Sequence, residues 1–237
     1  MTEATYSQRV HTGFFRSSRI LPLVEIEIKK LFRKGEANTK PLEVPAPKLA
    51  PVSRRATTEC PHPGRWSAFD SANLEIEVLD FLRTIVMTIK PELIVQTGAR
   101  NAVSTIWLAE GLKVNGFGSV VSCEPDKPSW QEAGTRIAAS AVAEWIQLFN
   151  QSGVELEVKG EIDLLFLNSD PSLREAEMRR FLPQVNPHGL ILMTDASSDL
   201  KIVREIALKL EKQGLISSVF LPTPSGLVVA QKREGRT

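Results

Sequence analysis

Hydrophobic and polar residues follow a regular order from about residue 70 onward. An apolar stripe at helical spacing (Leu74, Val78, Phe81, Ile85, Ile89) predicts a helix that begins near Asp70 or Ser71 and ends before Pro91. Short branched apolar runs, typical of buried parallel strands, follow at 92–97, 118–123, 145–150, 161–168 and 189–194. Helical patterns separate them at 102–114, 128–142, 171–181 and 200–213. Two last runs, 215–221 and 226–232, suit an antiparallel pair. The order predicts an α/β fold, an open doubly wound sheet of seven strands with helices on both faces.

The first 65 residues differ from the rest in charge and in proline content. They hold 12 Lys/Arg against 6 Asp/Glu, and six prolines lie between Pro41 and Pro63. Because proline lacks an N–H donor, we expect 41–65 to be an extended linker that joins sheets and helices poorly. The predicted boundary near Trp66 divides the chain into an extension, 1–65, and a domain, 66–237. Within the extension, 20–34 fits a strand or a helix. It is either a surface that contacts a membrane or a partner, or an arm that packs on its own domain or on a second copy.

Overall composition excludes several classes of protein. The 237 residues are 42% hydrophobic and 24% charged, with a net charge of +1, so no strong positive field would attract nucleic acid. The two cysteines, Cys60 and Cys123, have no metal-type spacing, which favours a reduced, cytoplasmic setting. The sequence has no apolar signal-peptide segment at its start, and no apolar run approaches the ~20 residues that span a bilayer.

Ligands of an open α/β sheet bind beyond the carboxyl ends of its strands. After the first strand comes the loop Gly98–Thr105, in which Arg100 and Val103 stand where a dinucleotide fingerprint needs glycine. A single glycine followed by small residues still suits a nucleoside without phosphates, such as S-adenosylmethionine (SAM). Glu124, at the end of the second strand, is placed to accept both ribose hydroxyls. The alternative for Glu124 is a solvated loop acid.

Three segments carry a resemblance to a known family: PELIVQTGARNAVSTIWLAEGL, GSVVSCEPD and EIDLLFLNSDPSLREAEMRRFLPQVNPHGLILMTDAS. In order and spacing the chain resembles class I SAM-dependent methyltransferases over roughly 70–232, and more narrowly the O-methyltransferase branch that includes catechol-type enzymes. The resemblance implies a Rossmann-like sheet whose last strand is antiparallel, SAM as cofactor and a small-molecule methyl acceptor. It implies cofactor contacts from Gln96, Gly98, Ser104 and Glu124.

The chain also departs from that family. Gln96 replaces the usual acid before the glycine, and Ala102 replaces the second glycine. Metal-dependent members place an Asp after the fourth strand and Asp-Asn after the fifth, and the matching residues here are Asn168, Asp195 and Ala196. Their catalytic lysine falls at Pro171. Because hard divalent ions prefer carboxylate oxygens, we expect no preformed catechol-type metal site.

Asp170 and Asp195 remain as candidate catalytic residues. Asp170 would act as a general base if burial raised its pKa, or it would cap the next helix together with Pro171. Asp195 would orient the substrate or bind an ion, or it is a loop acid. Two functions follow. One is O-methylation of a small molecule, with residues 1–40 of the extension covering the site or forming a homodimer. The other is a catalytically silent binding module, in which the Ala102 methyl group narrows the cofactor loop.

Overall fold

The computed structural model describes residues 50–51, 59–70, 73–197 and 201–233. Five α-helices are present in that part of the chain: α1 Ile76–Ile89, α2 Val103–Asn115, α3 Lys127–Ala138, α4 Arg174–Phe181 and α5 Lys201–Lys212. The strands are β1 Ala50–Pro51, β2 Ser67–Ala68, β3 Leu93–Thr97, β4 Ser119–Cys123, β5 Ile146–Phe149, β6 Ile162–Leu167, β7 Val185–Thr194, β8 Ile216–Leu221 and β9 Leu227–Lys232. None of these helices is both long and apolar enough to cross a membrane.

Seven of the strands form one sheet in the order β5-β4-β3-β6-β7-β9-β8. β3 to β7 are parallel, and β9 lies antiparallel between β7 and β8. The predicted fold class, with its reversed last strand, is confirmed. The chain runs outward from β3 to β5 and returns to β6 on the other side of β3. The order of the strands therefore reverses between β3 and β6, which is the point where open α/β sheets bind ligands.

Two apolar layers cover the sheet. On one face, α1 and α2 pack on alternate strand positions that include Ile94, Val120 and Leu164. On the other face, α4 and α5 pack on the intervening positions, Val95, Val121 and Leu165. The central strands are buried on both faces, which explains why they are apolar runs rather than alternating patterns.

Some local predictions need correction. The most buried residues of α1 are Val78, Leu79, Leu82 and Val86, while the predicted Phe81, Ile85 and Ile89 are only partly buried at the edge of the same core. The helix predicted at 128–142 ends at Ala138, and that predicted at 171–181 begins at Arg174.

The proline-rich stretch takes part in a sheet, contrary to expectation. Ala50–Pro51 pairs antiparallel with Ser67–Ala68, and a two-residue pair of this kind tolerates a residue without an N–H donor. The compact unit that contains the described residues begins at Lys48, before the predicted boundary at Trp66. The division into an extension, 1–65, and a domain, 66–237, stays a prediction. The segment 20–34, whose pattern fits both a strand and a helix, lies outside the described residues.

Candidate functional site

A cavity of about 370 Å³ opens at the carboxyl ends of β3, β4, β6 and β7. Its volume lies within the range of small-molecule sites. Five of the six predicted site residues line it: Gly98, Ser104, Glu124, Asp170 and Asp195. The sixth, Gln96, does not. The wall also includes Arg100, Asn168, Ser169, Leu173 and Glu177, together with Asn73, Leu74, Ala99, Asn101, Pro125, Ser152 and Gly153.

Glu124 is held as a buried carboxylate at the end of β4. Only 8% of the residue is exposed. Its Oε2 accepts the Arg100 N–H at 2.7 Å, and its Oε1 accepts the Asp126 N–H at 3.0 Å. Each carboxylate oxygen can accept a further hydrogen bond, because an ionised carboxyl has about four lone-pair sites. The alternative of a solvated loop acid is wrong for this residue, and its side chain is positioned at the cavity.

The loop after β3 is tightly packed, and its glycine is required by the protein itself. Gly98 has φ +73°, and a Cβ added there would lie 2.5 Å from the Asn168 carbonyl oxygen. Ala102 also adopts a left-handed conformation, with φ 62°. Its methyl group packs with Ala133 and Ile137 of α3 and does not line the cavity. Replacement of the family's second glycine therefore strains the backbone without narrowing the site.

Gln96 was expected to contact the cofactor, but its side chain does not line the cavity. Its side chain is fully buried beneath the first turn of α2, where Nε2 donates to Ser104 Oγ at 2.8 Å. Its Oε1 has no hydrogen-bond partner in the described structure. Gln96 thus supports Ser104, which lines the cavity, and does not line the cavity itself.

Asp170 does not meet the condition set for a general base. The side chain is exposed, and Oδ1 accepts hydrogen bonds from Ser172 Oγ at 2.5 Å and Ser172 N at 2.9 Å. These bonds lower the pKa of Asp170 instead of raising it. The capping alternative is close to the observed role, but the carboxylate closes a turn before the helix, and α4 begins only at Arg174.

Asp195 forms an ion pair with a buried arginine that sequence reasoning missed. Arg174 is fully buried, and its Nη2 lies 2.9 Å from Asp195 Oδ2. Nε and Nη2 also donate to the Ser169 carbonyl at 3.1 and 2.6 Å, and Nη1 donates to the Thr194 carbonyl. The guanidinium therefore joins the loop after β6 to the end of β7.

Glu177, a second missed residue, is a buried acid in the cavity wall. Its Oε2 accepts hydrogen bonds from Ser169 Oγ at 2.6 Å and from Thr97 Oγ1 at 2.8 Å. Its Oε1 has no partner in the described structure and lies where a side chain at Gly153 would collide with it. Burial raises the pKa of Glu177.

A periodicity in the sequence would have revealed both residues. Met178 and Phe181 define the buried face of α4, and Arg174 and Glu177 each lie four residues before one of them. Both charged residues therefore lie on the same face as the apolar pair. A charged residue on that face is buried, and a buried charge needs a partner.

The segment before α1 completes the cavity. Asn73 and Leu74 line it. The next residue, Glu75, is buried, and its Oε1 accepts the Ser225 N–H at 3.0 Å and the Ser225 hydroxyl at 2.8 Å. This contact holds the segment on the turn between β8 and β9. Nothing in the local sequence pattern predicts it.

The residues at the strand ends do not fit the divalent metal that the metal-dependent members of the resembled family use. Asn168 uses its amide to donate to the Gly98 carbonyl and to accept from Thr194 Oγ1. Asp195 is paired with Arg174, and Ala196 offers no side-chain donor atom. Within the described ranges no group of three or more His, Cys, Asp or Glu residues could hold a metal ion.

The fold is similar to that of solved O-methyltransferases. An O-methyltransferase from Bacillus cereus, solved with S-adenosylhomocysteine (SAH), superposes with a TM-score of 0.61 at 18% identity, covering 69% of this chain and 84% of that chain. An O-methyltransferase of tomaymycin synthesis from Streptomyces achromogenes, solved with SAM, gives 0.59 at 15% identity, covering 68% and 82%. A SAM-dependent O-methyltransferase from Thermotoga maritima gives 0.56 at 15% identity, covering 70% and 68%. No protein-family model and no curated protein matches the sequence.

Proposed function

We propose that the protein is a class I methyltransferase that binds SAM in the strand-end cavity and methylates an oxygen atom of a small molecule. One observation carries the proposal. The cavity lies at the switch point of the fold, and the buried carboxylate of Glu124 lines it. The neighbours solved with SAM or SAH share this fold.

The cavity residues suit an adenosyl sulfonium. Glu124 is held rigidly by two backbone N–H groups and has lone pairs left for the two ribose hydroxyls. The Gly98–Ser104 loop supplies backbone groups and the Ser104 hydroxyl for the amino-acid end of the ligand. The carboxylates of Glu124 and Asp170 add negative charge to a wall that also contains Arg100, and this balance favours a cationic ligand. SAM would supply the electrophilic methyl group.

The proton of an acceptor hydroxyl has an internal route in this site. Ser169 lines the cavity and donates to Glu177, and burial raises the pKa of this carboxyl, which favours its taking up a proton. Asp170 remains at the cavity as an exposed anion that can orient the acceptor. Positioning by the wall would supply a large part of the rate.

Three further points belong to the proposal: the acceptor is a small molecule, the protein acts in the cytoplasm, and residues 1–40 of the extension cover the site or join two copies. Both cysteines are free thiols, consistent with a reducing setting. The alternative, a silent binding module, has lost one of its reasons, because the Ala102 methyl group points into the core and away from the cavity.

Calorimetry with SAM and SAH tests the proposal. We expect saturable binding of one ligand per chain, which is lost in Glu124→Ala. Absence of heat above background at millimolar ligand would refute SAM binding. Saturable binding without methyl transfer to any acceptor in an extract supplied with labelled SAM would favour the silent module.

A further inference from the structure

We infer that the buried guanidinium of Arg174 takes the place of a divalent metal at the strand ends and holds the cavity wall together without a metal ion. The inference rests on the proposed function only in that SAH serves as one of its probes.

The contacts of Arg174 are those expected of a structural cation. Its acceptors are the Ser169 carbonyl, the Thr194 carbonyl and the Asp195 carboxylate, which come from the ends of two neighbouring strands. Carbonyl and carboxylate oxygens are also the ligands that hard divalent ions prefer. Here they are occupied by N–H donors of a group that stays charged at any physiological pH.

The charges of the residues around Arg174 are those expected beside a single buried cation. Asn168 is neutral, and its amide is engaged with Gly98 and Thr194, so it adds no charge that would need compensation. Within the described part of the chain, Asp195 is the carboxylate that forms an ion pair with the guanidinium, and this pair is neutral. An added divalent ion would have to displace the guanidinium from Asp195, leaving a buried cation unpaired.

The geometry also gives Arg174 a positioning role. Ser169 and Asp195 both line the cavity, and Arg174 fixes the backbone of the first and the side chain of the second. Arg179, on the same helix, is exposed and pairs with Glu175. Arg179→Gln is therefore a matched control for Arg174→Gln.

The test uses the full chain and two probes, Mn²⁺ followed by electron paramagnetic resonance and SAH followed by calorimetry. We expect no stoichiometric Mn²⁺ binding below about 1 mM, a range in which dedicated carboxylate sites bind divalent ions. The SAH dissociation constant should agree within about twofold between Mg²⁺ and EDTA buffers, a difference near zero in free energy. One Mn²⁺ bound per chain, or an SAH affinity that collapses in EDTA, would overturn the inference.

Two further variants test whether Arg174 takes the place of a metal ion or has only a structural role. Asn168→Asp adds a carboxylate beside Asp195, and we expect it to bind no Mn²⁺ while Arg174 is present. Asn168→Asp combined with Arg174→Gln should bind one Mn²⁺ and should lose it in EDTA. Binding by the single variant as tight as by the double variant would refute the substitution, as would a folded double variant that binds none.

Circular dichroism establishes first whether each variant is folded. If the double variant does not fold, Mn²⁺ titrations of the unchanged chain and of Asn168→Asp test the inference instead. The inference requires that neither protein binds Mn²⁺. Arg174→Gln, when folded, should weaken SAH binding by about tenfold or more, and Arg179→Gln should not. An equal effect of the two substitutions would contradict the positioning role. If the unchanged chain binds no SAH in either buffer, the proposed function fails, and the Mn²⁺ results still decide the inference.

Discussion

Glu124→Gln isolates the carboxylate that is proposed to bind the ribose. The substitution keeps the shape of the side chain but leaves one acceptor oxygen where the structure uses two, toward Arg100 N and Asp126 N. The new amide group then faces one of these N–H donors. Leaving a buried donor unsatisfied costs about 1–3 kcal/mol, and we expect the free energy of unfolding to fall by about that amount.

The effect of Glu124→Gln on binding follows from the same contacts. A hydrogen bond to a charged group contributes about 1.5–3 kcal/mol, and the variant loses the charge and one of the two acceptors for the ribose hydroxyls. We therefore expect the SAH dissociation constant to rise by about 10- to 150-fold. Calorimetry at a temperature well below the unfolding transition measures it, and urea unfolding followed by tryptophan fluorescence measures the stability.

Asp170→Asn is the matched control for Glu124→Gln. Asp170 lines the same cavity and carries the same charge, but it is exposed, and its carboxylate accepts hydrogen bonds from the side chain and the backbone N–H of Ser172. We expect a much smaller change in SAH affinity from this variant. An equal loss in both variants would show that overall negative charge, and not the geometry of Glu124, governs binding. An affinity of Glu124→Gln within about twofold of the unchanged chain would refute the ribose role.

Three further predictions concern strain, protonation and thiol burial. Ala102→Gly relieves a left-handed conformation that costs about 1–2 kcal/mol, but it also loses a buried methyl group that contributes about 0.8 kcal/mol. The free energy of unfolding in urea should therefore stay within about 1 kcal/mol of that of the unchanged chain. A loss of more than about 2 kcal/mol would mean that packing of the methyl group against α3 dominates. Because burial raises the pKa of Glu177, its carboxyl is protonated in both states below 4.5, and as pH rises only the unfolded chain ionises. The stability of the unchanged chain relative to Glu177→Gln should therefore fall as the pH rises above 4.5, until the folded-state carboxyl also ionises, and a pH-independent difference would contradict the raised pKa. Burial raises the pKa of the Cys123 thiol to about 12, so in a Cys60→Ser background it should react with a disulfide reagent only after unfolding, whereas rapid labelling of the folded chain would be inconsistent with its burial.

The order of the elements could be predicted because each depends on a local period. Branched apolar runs form strands that are buried on both faces, and 3.6-residue stripes form the helices between them, so all seven strands of the main sheet were predictable. Gly98 and Glu124 could be placed at one cavity for a related reason. In a parallel sheet, residues that follow successive strands meet at the same edge, whatever the details of packing.

The chemistry at that edge was decided by the tertiary structure. Whether Arg174 is a surface or a buried cation depends on which face of α4 meets the sheet and on an oxygen acceptor 21 residues away at Asp195. The raised pKa of Glu177 arises from burial in the assembled core, and the lowered pKa of Asp170 from a turn that leaves it in water. The contact of Glu75 with Ser225 joins residues 150 positions apart. The helical spacing of Arg174 and Glu177 to Met178 and Phe181 indicates a shared buried face. The choice of partners and the resulting pKa shifts are long-range properties of the packed chain, so no local pattern of residue types contains them.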